Sequence, residues 1–192
     1  LCRACALIAR VPVVISGQRS TDKWRKWYHV LLDRLTYRFC DLIISNSRSA
    51  KQRLEEIEKI PEGHISVIYN GIKKKQNGDK NFLFSKYNIP KNSIVFGSAG
   101  RLSYVKGYDI LIQAMAPLMK KYDDLYLFIL GVGPEKEKLQ HLIKELDITG
   151  KVFLTGNVDN IEDHLACFSM FVISSRWEGF SNVMLESMYN GV

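Results

Sequence analysis

From residue 93 onward the chain repeats one pattern four times: a short apolar run, a glycine-bearing turn, then an amphipathic stretch. The runs are SIVFGSA (93–99), LYLFIL (125–130), KVFLTG (151–156) and MFVISS (170–175). The stretches after them cover 107–122, 134–147 and 161–168, and a fourth opens near Ser181. Short apolar runs without alternation read as strands buried on both faces. Amphipathic connections of this length carry the chain from one parallel strand to the next. Four such units in succession predict an α/β fold built on a parallel sheet with helices on both faces. Ligands of such sheets bind beyond the carboxyl ends of the strands.

The first part of the chain shows the same alphabet less regularly. VPVVIS (11–16), DLIISNS (41–47) and ISVIYNG (65–71) read as strands, and 49–60 as a helix stopped by Pro61. Residues 1–10 read as the end of a helix. Residues 22–39 place Trp24, Trp27, Tyr28, Leu31, Leu32, Leu35 and Phe39 on one helical face, with Lys23, Arg25, Lys26, Arg34 and Arg38 mostly elsewhere. Such a helix can lie on anionic lipid, but packing on a sheet is the commoner fate and is the expectation here. KKKQNGDK (73–80) has no apolar residue and reads as a linker.

Charge divides the chain in the same place. Residues 1–80 hold 16 Lys and Arg against 8 Asp and Glu, whereas residues 81–192 hold 11 against 12. The basic excess suits an anionic partner surface, and equally a solvated basic face. No apolar run approaches the roughly 20 residues of a membrane span. Of the cysteines, Cys2 and Cys5 form a lone CxxC with no second pair at zinc-site spacing, so they are expected as buried helical thiols in a reducing cytosol. The histidines, His29, His64, His141 and His164, fall away from the strand ends and are expected on the surface or in packing. The chain opens at Leu1 and stops at Val192 in mid-pattern, so both ends are expected to be truncated.

The strand ends carry the chemistry. After the first strand come Gly100 and Arg101, then Lys106-Gly107; after the second, Gly131 and Gly133; after the third, Gly156-Asn157-Val158; after the fourth, Arg176-Trp177-Glu178-Gly179-Phe180-Ser181-Asn182. Glycines admit phosphate close to the backbone. Helices opening near Gly107, Pro134 and Ser181 would aim free N–H groups at one cleft, each worth roughly 0.3–2 kcal/mol to an anion. Arg101 can fork onto phosphate oxygens and Lys106 adds a point charge. No Asp-x-Asp pair is present to hold a divalent metal on a diphosphate, so these groups would neutralise it, and no metal or cofactor is expected. Glu178 precedes the last helix and can stand at the reacting end of a ligand. Glu186, inside that helix, can accept hydrogen bonds from a ribose diol, each worth roughly 1.5–3 kcal/mol.

The set GRLSYVKG, FILGVGPEKEKL, VFLTGNVDN and SSRWEGFSNVMLESMYNGV resembles the donor half of retaining glycosyltransferases of family 4, which have the GT-B fold of two Rossmann-like domains. The family's E-x7-E motif matches Glu178 and Glu186, and the cations of its GRL-x-x-x-KG element match Arg101 and Lys106. The resemblance implies that residues 1–72 are the C-terminal part of the acceptor-side domain, 73–91 an interdomain linker and 92–192 an incomplete nucleotide-sugar donor domain. It implies that Glu178, Arg101 and Lys106 serve catalysis, and that Glu186, the stretch Gly179, Phe180, Ser181, Asn182 and Val183, with Gly131, Gly133, Asn157 and Val158, binds the donor. Where many members carry a histidine after the PVV strand, this chain has Gln18 and Arg19, which are left to meet the sugar.

The expected activity is metal-independent, retaining transfer of a hexose or N-acetylhexosamine from a UDP- or GDP-sugar to a glycan or lipid-linked acceptor in surface polysaccharide synthesis. The expected place is the cytoplasm, at the inner membrane face, and residues 1–192 alone are expected to be inactive. A non-catalytic sugar-nucleotide-binding module and a sugar-nucleotide epimerase on the same fold are the alternatives. The epimerase would act without an acceptor, and a glycan phosphorylase would need a pyridoxal lysine for which there is no signal. Nucleic acid is not an expected partner, because the basic excess lies away from the glycine turns.

Overall fold

The computed structural model describes residues 2–18, 26–72 and 78–192. Arg19, Lys23, Trp24, Arg25 and the lysine run at 73–75 lie outside the described residues. Contacts group the chain into two units, Leu1–Gly71 with Trp177–Ser181, and Ile72–Arg176 with Asn182–Val192.

The first unit holds a parallel sheet of β1 (Ile15–Gln18), β2 (Leu42–Ser45) and β3 (Ile65–Val67), in that order. Its helices are α1 (Cys2–Ile8), α2 (Trp27–Thr36) and α3 (Arg48–Glu56). Ser47 caps α3 by accepting the Ala50 amide at 3.2 Å. Tyr37, Cys40, Ile43, Leu54, Ile60 and Ile65 form the core. Arg3 ties three elements together, donating to Asp33 of α2 and Ser16 of β1, each at 3.0 Å.

Three expectations are corrected here. β1 lies at Ile15–Gln18, four residues beyond the start of VPVVIS: Pro12 has no N–H for a ladder, and the Val14 amide donates to the Asp41 carboxylate at 2.8 Å instead. The apolar face of α2 does not pack on the sheet: the helix buries no residue, and Trp27 is 76% and Leu35 62% exposed. Periodicity marks a face able to be buried and says nothing of what covers it. Cys5 is exposed, not buried, and the side chain of Cys2 lies outside the described residues; among the described thiols, Cys40 and Cys167 are buried.

The second unit is the regular one. β4 (Ile94–Ala99), β5 (Leu125–Leu130), β6 (Val152–Gly156) and β7 (Met170–Phe171) form a parallel sheet in the order β6-β5-β4-β7. The helices are α4 (Phe82–Lys86), α5 (Tyr108–Lys121), α6 (Lys136–Glu145), α7 (Ile161–Cys167) and α8 (Asn182–Tyr189). The sheet is covered on both faces. Leu127 and Ile129 pack on one side with α5 and α6, and Phe128 and Leu130 on the other with α4 and α7. These β5 residues are at most 2% exposed, and each such burial is worth roughly 1.5–3 kcal/mol.

Residues 81–91, expected within the linker, contain α4, whose Leu83 is wholly buried beside Phe128 and Leu165. Polar neighbours hid this short apolar cluster. β7 is shorter than MFVISS suggested. Its ladder with β4 gives way to side-chain bonding, as the Ser98 hydroxyl donates to the Val172 carbonyl at 2.7 Å. His164 is a packing residue, 2% exposed, its ring edge-on to Phe82; burial pulls its pKa below the ordinary value.

Candidate functional site

The strand order puts the point of reversal beside β4. The chain steps outward from β4 to β5 and β6, then returns to the other side of β4 with β7. At such a point the connections leave in opposite directions and a crevice opens at the carboxyl ends. A cleft of about 540 Å³ lies there. Its floor comes from Gly100 and Arg101 after β4, and from Gly131 and Gly133 after β5. Asn157 and Val158 after β6, Ile161 at the start of α7 and Val183 of α8 complete the walls.

The glycines are required by shape. Gly131 has φ +134°, and a Cβ there would stand 2.1 Å from the Gly100 carbonyl oxygen. Gly107, in the left-handed region at φ +63°, introduces α5, and a Cβ there would stand 2.2 Å from the Ser174 carbonyl. Any side chain at either place would push strand-end loops apart.

Lys106 ends the 3-10 turn Tyr104–Lys106. Its Cε lies 3.0 Å from where a Cβ on Gly100 would be, so its stem runs over a cleft-lining residue. The turn is held from β7's side. The Arg176 guanidinium forks onto Asp109 at 2.8 and 2.6 Å, donates to the Tyr104 carbonyl at 2.7 Å and lies 4.0 Å from the Tyr104 ring centroid. The hydrogen bonds from Arg176 hold Asp109 below the usual carboxylate value, and Asp109 in turn raises Arg176 above its own. The Ser174 hydroxyl donates to the Lys106 carbonyl at 2.8 Å. Arg176 and Asp109 were not singled out for a role from sequence, because an Arg and an Asp 67 residues apart carry no local pattern. Ile161 was also missed, although the predicted helix began there.

Of the residues expected at the donor, the structure brings together Arg101, Gly131, Gly133, Asn157, Val158 and Val183 on one cleft. Glu186 follows Val183 by three positions on α8, so it lies on the same helical face one turn on. Its carboxylate makes no hydrogen bond or ion pair among the described residues, and neither does the exposed Arg101 guanidinium. Asn182 is the first residue of α8. Glu178, Gly179, Phe180 and Ser181 belong to the stretch grouped with the first unit. Gln18 ends β1, paired with Ser45, at the carboxyl edge of the first sheet. α6 begins at Lys136, two residues later than expected, which leaves Pro134 in the loop.

One fixed cation, close backbone and an apolar slot of Val158, Ile161 and Val183 suit a ligand that is flat and apolar at one end and anionic at the other.

Comparison with known proteins agrees in both parts of the chain. Residues 79–192 match the family model described as Glycosyl transferases group 1, and residues 1–76 match Glycosyltransferase Family 4. An uncharacterized glycosyltransferase of Methanocaldococcus jannaschii is 34% identical over 162 residues, covering 83% of this chain and 40% of that protein. The N-acetylgalactosamine-N,N'-diacetylbacillosaminyl-diphospho-undecaprenol 4-alpha-N-acetylgalactosaminyltransferase of Campylobacter jejuni is 36% identical over 154 residues, covering 80% of this chain and 40% of that protein. The chain thus spans about 40% of the length of these curated relatives. In fold it is similar to Anabaena Alr3699/HepE, crystallised with UDP and glucose, with a TM-score of 0.86 at 23% identity over 98% of this chain and 53% of that one.

Proposed function

The chain belongs to the glycosyl transferases group 1 family, and from that premise we propose that it forms the donor-side site of a retaining, metal-independent glycosyltransferase. The observation that carries the proposal is the cleft at the β4 switch point, where Arg101, glycine backbone and an apolar slot meet. The base lies in the slot by Val158 and Asn157. The ribose diol faces Glu186. The diphosphate lies over Gly100, Gly131 and Gly133, neutralised by Arg101 and Lys106 and by the N-terminus of α8. Of the remaining residues, the backbone of Gly179 to Val183 is assigned to the sugar and phosphates, and Glu178, Gln18 and Arg19 to the sugar.

As the bond from the anomeric carbon to the diphosphate oxygen breaks, charge grows on that oxygen. Arg101 and Lys106 stabilise it there, and each preorganised group of this kind is commonly worth ~10²–10³ in rate. The sugar is a hexose or N-acetylhexosamine on UDP or GDP. The acceptor is a glycan or a lipid-linked glycan, which the Campylobacter relative's diphospho-undecaprenol acceptor supports. No described helix is long and apolar enough to cross a membrane. Peripheral contact with anionic lipid is supported by the basic excess of residues 1–80 and by the exposed face of α2.

The test is donor binding followed by turnover. The protein is titrated with UDP, GDP and ADP, with and without EDTA, and thermal stability is read. Saturation at about 100 Kd is worth roughly 2.7 kcal/mol. Stabilisation by one nucleotide, unaffected by EDTA, followed by acceptor-dependent release of that nucleoside diphosphate, is the expected result. Binding with no transfer to any acceptor by the full-length protein would favour a non-catalytic module, and no binding at all would sink the proposal.

A further inference from the structure

We propose that Arg176 is a positioning residue for Lys106, holding the lysine's turn in place so that its ammonium meets the donor diphosphate. The inference rests on the donor reading of the cleft and deepens it. Arg176 is not among the residues lining the cleft, and three of its five guanidinium N–H donors go to the two Asp109 oxygens and the Tyr104 carbonyl. What it secures is the segment 104–109. Its backbone amide donates to the Val105 carbonyl at 2.8 Å, and its side chain grips the residues on either side of Lys106. Two residues earlier, Ser174 holds the Lys106 carbonyl itself. The segment after β7 therefore bonds the Val105 and Lys106 carbonyls directly and holds Tyr104 and Asp109 to either side, while the lysine stem crosses Gly100 at the cleft floor.

A short 3-10 turn has poor internal bonding and little rigidity of its own. Lysine is a flexible four-carbon stem, so where its backbone stands decides where its charge can reach. A planar bidentate fork fixes orientation as well as distance, which an ammonium at position 176 could not do. Misplacing a catalytic group by about 1 Å from outside the reacting centre can cost about a hundredfold in rate.

The experiment is a double-mutant cycle between Arg176→Lys and Lys106→Ala in the full-length protein. It is read by the unliganded unfolding temperature, by the Kd of the nucleoside diphosphate and by kcat and KM for the donor sugar. Arg176→Lys should keep the fold, leave KM for the acceptor unchanged and lower kcat about ten- to a hundredfold. In the Lys106→Ala background the same change should have no further effect on kcat/KM, because the residue it positions is gone. Added guanidinium at low millimolar concentration should partly restore Arg176→Gly and leave Arg176→Gly, Lys106→Ala unrestored. Equal losses in both backgrounds, or a lowered unfolding temperature with unchanged turnover, would make Arg176 a structural staple and overturn the inference alone. A full-length wild-type protein inactive with every nucleotide sugar would overturn the donor reading and this inference together.

Discussion

Gly131 and Gly100 meet backbone to backbone, and a Cβ on Gly131 would come 2.1 Å from the Gly100 oxygen. The obstruction is a strand-end carbonyl, which cannot swing aside as a side-chain tip can. Gly131→Ala therefore combines a clash with a positive φ of +134°, and holding a β-carbon-bearing residue in such a sparsely populated region costs roughly 1–3 kcal/mol. The expected outcome is a fall in the unfolding midpoint of at least about 5 °C, with loss of nucleotide binding. A variant as stable as wild type would mean that the two loops are not held together.

Asp109 gives a pH signature. Its pKa is held down in the folded protein by Arg176. A depressed carboxylate contributes stability above its unfolded value, near 3.9, and loses that contribution as pH falls through the folded value. Asp109→Asn should lower the unfolding temperature by a constant amount from pH 7 down to about pH 5. The gap should then narrow below about pH 4. Melting curves of both proteins from pH 7 to pH 3 decide it, since a gap unchanged at pH 3 would exclude the ionised pair as its source.

Leu83 distinguishes a core helix from a linker. It is wholly buried in α4. Leu83→Ala should cost about 2–5 kcal/mol, as other large-to-small core changes do, measured by denaturant unfolding. A surface position would lose no more than about 0.5 kcal/mol.

Glu186 separates the nucleotide's ribose end from its phosphate end. Glu186→Ala should abolish most of the thermal shift produced by the preferred nucleoside diphosphate and leave the unliganded melting temperature nearly unchanged. With inorganic pyrophosphate as the probe, Arg101→Ala should weaken binding and Glu186→Ala should not. Equal effects on both probes would place Glu186 elsewhere than at the ribose.

How far the sequence could be read depended on how local the signal was. LYLFIL reads as a strand to the residue, because six apolar residues bounded by turns and buried on both faces admit little else. The glycines and Arg101 were legible because strand-end position alone predicts the cleft. VPVVIS misled, since apolar content locates a strand and hydrogen bonding defines its ends. The exposed face of α2 shows the limit of amphipathicity as evidence for packing. α4 was missed because five residues give too short a window for periodicity. The Arg176–Asp109 fork is a purely tertiary fact, created when β7 returns beside β4.

That return has a consequence in time. Phe96 and Gly97 of β4 take Met170 and Phe171 as partners, residues that leave the ribosome seconds later at the usual rate of about 5–20 residues per second. β5 and β6 are translated in between, so one flank of β4 can be paired while the other still waits. The helix bearing Val183 and Glu186 is translated later still. A nascent chain paused before Asn182 therefore displays the glycine turns and Arg101 without the residues proposed to grip a ribose, and nucleotide capture has to wait for α8.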